Sequence, residues 1–341
     1  MDSITHIALG AAVGELMLGK KIGKRALIIG ALVNSFPDID FLAALWLAPA
    51  DNVLAHRGFT HSILFIVLFT FIFYWGALRW DKQKRVSNTR WFLFFLVQLW
   101  LHLFVDAFNA YGVGWLIPLD NRRISFHTIF VVDPFYSSIL IVAFILLMLI
   151  PIQNKHRIRI AALGFLISSM YLGTALVTKY KVSHEVQAAL TKQRINYHRY
   201  FTTPTPLNTW LWFAVAEIDS GYYIGYRSVF DKTDSIQFTY VERNEYLLQE
   251  WQTDHTLRQL KKFSQGYYTV ALKADTLIFN DLRFGQTAGW NSPNSPFAFH
   301  FYLNYPKDNL LVMQRGRFAH WNKQTVESLV ARIKGNQRNE K

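Results

Sequence analysis

Residues 91–108 read WFLFFLVQLWLHLFVDAF, an apolar run that closes on His102 and Asp106. Such a run is long enough to cross a hydrocarbon layer as a helix. On a helix, positions four apart share a face, so His102 and Asp106 project together, about one turn apart. Ionisable groups at membrane depth are costly unless they are paired, hydrated or bound to an ion. Two readings are open for the pair alone. It binds a divalent cation, or the imidazole and the carboxylate simply bond each other.

Further apolar stretches fall at residues 4–19, 26–48, 61–79, 137–152 and 160–178. The first is short and carries Glu15, and the second is interrupted by Pro37, Asp38 and Asp40. Broken backbone is tolerated at depth only where protein covers it or a polar cavity faces it. From about residue 180 the pattern changes to short runs rich in aromatic and β-branched residues. These are Leu211–Glu217, Tyr222–Phe230, Gln237–Val241, Tyr267–Ala271, Thr276–Phe279 and Phe297–Leu303, with turn signals such as Asp219-Ser220-Gly221 and Pro306-Lys307-Asp308 between several of them. That is the signature of an antiparallel meander. Residues 245–263 read as a helix, with Leu247, Leu248, Trp251, Leu257 and Leu260 spaced for one face. The expected fold is an α-helical polytopic membrane domain over residues 1–180, followed by a soluble α+β, mainly antiparallel β, domain over 181–341. The first part is expected to hold about six hydrophobic helices, the first two short or re-entrant.

Composition narrows the chemistry. The chain is 51% hydrophobic, carries a formal net charge of +13 and has no cysteine, so thiolate ligands, a cysteine nucleophile and disulfides are excluded. The positive charge alone fits nucleic acid, anionic lipid or simple solubility, and its placement separates these. One set of connections holds Lys20, Lys21, Lys24 and Arg25, then Arg79, Lys82, Lys84, Arg85 and Arg90, then Lys155, Arg157 and Arg159. The alternate connections before residue 180 hold only Arg57, Arg122 and Arg123. This asymmetry puts the basic connections inside and, if all six segments cross, both termini outside the cytoplasm. No nucleic-acid partner is needed to explain the basic excess. Met1–His6 has no basic region before its apolar stretch, so a cleaved secretory signal is not expected.

Other ligand-like groups fall on the same predicted side as His102 and Asp106. Thr5-His6 opens the first segment. Pro37-Asp38-Ile39-Asp40 sets two carboxylates inside an apolar run, where they repel each other unless a cation or protons compensate. Pro37 opening a solvated loop is the alternative. His56-Arg57-Gly58-Phe59-Thr60-His61-Ser62 brackets a short turn with two histidines, and Thr60 or Ser62 is placed to cap the next helix. Imidazole plus carboxylate suits zinc, with manganese or iron(II) as alternatives. The chain has no GxSxG, P-loop or strand-borne GxGxxG, so serine hydrolase, nucleotide hydrolase and Rossmann readings lack support.

Together, Thr5-His6 with Gly10, Pro37-Asp38-Ile39-Asp40, His56–Ser62 and His102 with Asp106 resemble the LexA-binding, inner-membrane-associated hydrolase family, also called membrane-bound metal-dependent hydrolases. Asn109-Ala110-Tyr111-Gly112 and Asp133-Pro134-Phe135-Tyr136 continue the pattern, and the likeness covers roughly residues 1–180. The resemblance implies a bacterial-type inner membrane location and hydrolysis. A weaker likeness is to zinc-dependent phospholipase C and its single-strand nuclease relatives, whose ligand order Asp40, His61, His102 and Asp106 would match. This chain departs from them in lacking a second HxxxD, because His127 is followed at the fourth position by Val131.

The leading expectation is an integral membrane hydrolase in which His6, Asp40, His61, His102 and Asp106 hold divalent metal and a metal-activated water attacks an ester or phosphoester. Asp38 or His56 would take the proton, and Arg57, Arg122 and Arg123 would meet an anionic, lipid-type substrate. The bilayer itself is the expected partner. A non-catalytic membrane scaffold, its polar cluster acting only as a staple and its C-terminal domain binding a partner, is the alternative. A transporter using the same groups as a proton relay is a third, weaker reading, since the segments show no repeat symmetry.

Overall fold

The structure is a computed structural model, and it describes residues 1–304 and 321–335. The turn expected at Pro306-Lys307-Asp308 lies outside the described residues. Helices α1 (Ser3–Ile22), α2 (Arg25–Asn34), α3 (Pro49–Ala55), α4 (Ile63–Trp80), α5 (Asn88–Asp106) and α6 (Pro134–Leu149) precede a long α7 (Arg157–Lys192). Two 3-10 stretches, Phe36–Leu45 and Phe59–His61, interrupt them. The chain divides into two compact units. The first is Met1–Leu45, Ala55–Phe126 and Val131–Thr174, and the second is Trp46–Leu54, His127–Phe130 and the chain from Ala175 onward.

In the first unit, local chemistry starts and stops each helix. Asp2 caps α1 by accepting from the Thr5 amide, and Gly23, at φ 62°, ends it. Ser62 and Ser87 cap α4 and α5, while Asp133 followed by Pro134 opens α6. Helices α1 and α2 pack backbone to backbone. A Cβ on Gly10 would sit 2.3 Å from the Gly30 carbonyl oxygen, and one on Gly14 2.1 Å from that of Ala26. Small residues are what permit such an approach. Against this pair, Trp91, Phe94 and Phe95 of α5 build an aromatic core with Phe36, Phe69 and Phe73.

Among the described residues, two helices, α4 and α7, are long and apolar enough to cross a membrane, and a third crossing results if α2 and the 3-10 stretch Phe36–Leu45, bent by 50°, count as one broken span. The break expected at Pro37–Asp40 is therefore present, but six crossings are not borne out by length and composition. Glu15 with Lys20 and Lys21 in α1, and Gln98, His102 and Asp106 in α5, dilute the hydropathy of those helices, while α6 has only 16 residues. The outer surface of α4 still exposes Leu68, Phe71 and Trp75, as a bilayer-facing helix does.

The second unit holds two antiparallel sheets. Strands β1 (Arg199–Pro204), β2 (Leu211–Glu217), β3 (Gly221–Ser228) and β4 (Phe238–Glu242) form one, in sequential order. Strands β5 (Tyr268–Lys273), β6 (Thr276–Gln286) and β7 (Phe297–Tyr302) form the other. Strand β2 is buried on both faces. Trp212, Ala214 and Ala216 pack on Val182, Val186 and Leu190 of α7, while Phe213 and Val215 pack with Leu282 and Phe297 of the second sheet. That contact explains why α7 continues to Lys192 instead of stopping at 178. Val182, Val186, Ala189 and Leu190 keep helical spacing and are all buried. The helix expected over 245–263 is split into a 3-10 stretch, Glu245–Trp251, and α8 (His255–Phe263), because Asp254 caps a new helix by accepting from the Leu257 amide. Helix α9 (Lys323–Ile333) is the last described element.

Candidate metal centre

Three elements of the first unit bring four side chains to one point. Asp38 comes from the 3-10 stretch after α2, His61 from the turn before α4, and His102 and Asp106 from the last turns of α5. One ligand atom from each lies within 4.8 Å of all the others. His61 Nε2 and His102 Nε2 are 3.0 Å apart. Asp38 Oδ1 stands 3.6 Å from each of them, and Asp106 Oδ2 3.3 Å from His61 and 3.8 Å from His102. A zinc ion bonded at ordinary lengths to four such atoms gives tetrahedral edges of about 3.3–3.5 Å. The observed spacings bracket that value. Among the described residues, Asp38 Oδ2 and His102 Nδ1 are buried without a hydrogen-bond partner, a rare state for native polar atoms. Three carboxylates, those of Asp38, Asp40 and Asp106, meet two cationic groups here, the Arg57 guanidinium and the Met1 amino group, both paired with Asp106. The cluster can hold a divalent metal.

The surrounding groups orient it. The Thr60 hydroxyl donates to Asp40 Oδ2 (3.1 Å) and receives His61 Nδ1 at 2.9 Å, with Asp40 Oδ2 itself 3.3 Å from that nitrogen. The network therefore keeps a His61 proton on Nδ1, so Nε2, which faces the cluster, is the atom that would lose its proton to ligate. His56 Nδ1 lies 3.1 Å from the other Asp40 oxygen, and the Arg57 amide donates to Asp40 at 2.7 Å. Arg57 carries the left-handed backbone of this turn (φ 57°), whereas Gly58 beside it has φ −89°. Its guanidinium fixes it there, lying 3.0 Å from Asp106 Oδ2, donating to Asn109 Oδ1 at 2.6 Å and facing the Tyr111 ring.

The structure thus brings together most of the expected site, with a different inner set. Asp38 converges with His61, His102 and Asp106, while Asp40 stands behind His61. His6 stacks on His102 with centroids 3.9 Å apart and reaches Asp106 Oδ1 at 3.1 Å, outside the group of four. Of the arginines, Arg57 is buried against Asp106. Arg123 donates to the carbonyls of His56 and Gly112, and Arg122 is exposed beside Asp120. Asn34 and Gln98 were not singled out from the sequence. Asn34 Oδ1 faces His6 Nδ1 and its amide donates to the Gln98 carbonyl, while the Gln98 side chain donates to the Gly10 carbonyl. Their signal was their polarity inside apolar runs. Glu15, the charge noted in the first apolar segment, forms a buried two-pronged pair with Arg157.

A helical membrane unit enclosing a His/Asp cluster is the class of protein these features define. The family model described as YdjM inner membrane protein matches residues 1–182, so the chain belongs to that family. The inner membrane protein YbcI of Escherichia coli (strain K12) is 34% identical over 122 residues, covering 35% of this chain and 69% of YbcI. YfhP of Bacillus subtilis (strain 168), described as uncharacterized, is 32% identical over 142 residues, covering 40% of this chain and 42% of that protein. No solved structure matches the chain.

Proposed function

We propose that the protein is a membrane-bound metal-dependent hydrolase acting on an ester or phosphoester, with Asp38, His61, His102 and Asp106 as its ligands. The observation that supports this is the convergence of four ligand atoms within 4.8 Å of one another. A divalent ion there, zinc first and manganese or iron(II) as alternatives, supplies Lewis acidity and a water of lowered pKa. Asp40 and Thr60 hold His61 in the ligating tautomer. His56 gives its Nδ1 face to Asp40 and keeps Nε2 to accept a proton, and its side chain is 35% exposed, so it reaches the open side. Asp38, 17% exposed, is the ligand on that side, whereas His61, His102 and Asp106 are fully buried. Arg57 and Arg123 are bonded internally, and Arg122, exposed and paired with Asp120, is the arginine that would meet an anionic substrate by exchanging that partner. A lipid or lipid-linked phosphate suits a site in a membrane unit, and an extracytoplasmic site and C-terminal domain follow from the lopsided basic connections only if all six apolar segments cross.

The test is hydrolysis of a panel of ester and phosphoester lipids by the purified protein, with and without chelator. Activity that chelator removes and zinc restores, and that His56→Gln loses while metal content is kept, supports the proposal. Near-complete burial of three ligands favours a second reading, a metal staple joining the 3-10 stretch after α2, the turn before α4, and α5. On that reading His56→Gln is silent, and ligand substitution unfolds the protein.

A further inference from the structure

A groove of about 480 Å³ opens where the end of α1, the first turns of α5 and the start of α7 meet. Its walls are of two kinds. Met17, Leu93 and Ile158 present apolar surface, and Lys20, Arg90 and the Thr89 hydroxyl stand beside them. Lys20 and Arg90 are exposed. The acidic side chains of the flanking stretches are already committed, Glu15 to Arg157 and Asp81 to Arg85. Among the described residues, neither Lys20 nor Arg90 has a carboxylate partner. Lys21, Lys82, Lys84 and Arg85 lie on the connections that meet here, so the local field is strongly positive.

We propose that this groove is a binding site for one anionic phospholipid, separate from the His/Asp cluster. A phosphodiester would sit against Lys20, Arg90 and Thr89, and an acyl chain would lie along Met17, Leu93 and Ile158. Free phosphate satisfies only the first half of the groove, and a neutral lipid only the second. Cations at the edge of a membrane helix bundle recruit acidic headgroups in this way. The buried Glu15–Arg157 pair anchors the start of α7 against α1, so one wall of the groove is fixed in place.

The experiment is native mass spectrometry of the full-length protein released from nanodiscs of mixed phosphatidylglycerol and phosphatidylcholine. The expected result is retention of one phosphatidylglycerol in preference to phosphatidylcholine. The preference should be roughly 5-fold per cation and about 25-fold for the pair. Lys20→Gln with Arg90→Gln should abolish it, and Lys20→Arg with Arg90→Lys should keep it. Both positions are exposed, and an unchanged thermal transition verifies the fold. Equal retention of the two lipids by the wild type overturns the proposal, as does a preference that survives the double glutamine variant. Displacement of phosphatidylglycerol by inorganic phosphate alone would show a phosphate site and would equally overturn it.

Discussion

Replacing Asp40 with asparagine tests whether the cluster is organised as a metal centre. Asp40 accepts from the Arg57 amide at 2.7 Å and the Thr60 hydroxyl at 3.1 Å, and it faces His56 Nδ1 at 3.1 Å and His61 Nδ1 at 3.3 Å. Every one of these partners is a donor in the assigned network. Asparagine keeps one acceptor oxygen and turns an NH₂ donor toward the rest, so at least one bond becomes donor against donor. His61 then loses the carboxylate that fixes its tautomer and raises its basicity. Loss of such an outer partner weakens metal binding about 10–100-fold, equivalent to about 1.4–2.7 kcal/mol. The assay is competition with a chromophoric chelator in detergent, beside a thermal melt of the metal-free protein. An Asp40→Asn protein that is folded and binds metal within about 2-fold of the wild type, against the 10-fold minimum expected, would refute the role given to Asp40.

Glu15→Gln leaves the Arg157 guanidinium buried without its counter-charge, at a cost of about 3–5 kcal/mol. Unfolding in mixed micelles should show the loss, and the paired change to Glu15→Met with Arg157→Met should recover most of it. Gly30→Ala places a methyl 2.1 Å from the Gly10 carbonyl and should cost about 1–3 kcal/mol through forced separation of α1 and α2, read by the same unfolding assay. Burial by itself disfavours the His61 imidazolium, but the carboxylates of Asp106, Asp38 and Asp40 outweigh it and push the metal-free group up to about 10. The metal-free protein therefore holds that proton at neutral pH, and a ligand must give it up. Metal uptake at neutral pH should release roughly one proton per ion, measurable by calorimetry in buffers of different ionisation enthalpy, and apparent affinity should rise with pH.

How much was legible varies with the physics involved. The α5 pair His102/Asp106 is readable because helical spacing alone puts the two on one face. Strand β2 is readable because its aromatic and β-branched run is bounded by turn residues. Which of Asp38 and Asp40 enters the cluster was not readable. The backbone there is a 3-10 stretch, and residues two apart on three residues per turn point in different directions, so one faces His102 and the other lies behind His61. Only the fold brings Glu15 to Arg157, far away in sequence, or shows Arg57 bonded to Asp106 instead of open to substrate. Length and composition do not confirm six crossings, because polar residues such as those of the cluster on α5 lower the hydropathy of the helix carrying them.

The most direct measurement is elemental analysis of the detergent-purified protein, wild type beside His61→Ala with His102→Ala. The account predicts roughly one divalent transition metal per chain in the wild type and none in the double variant. A folded wild-type protein without bound metal, and with no uptake from added zinc, would contradict it.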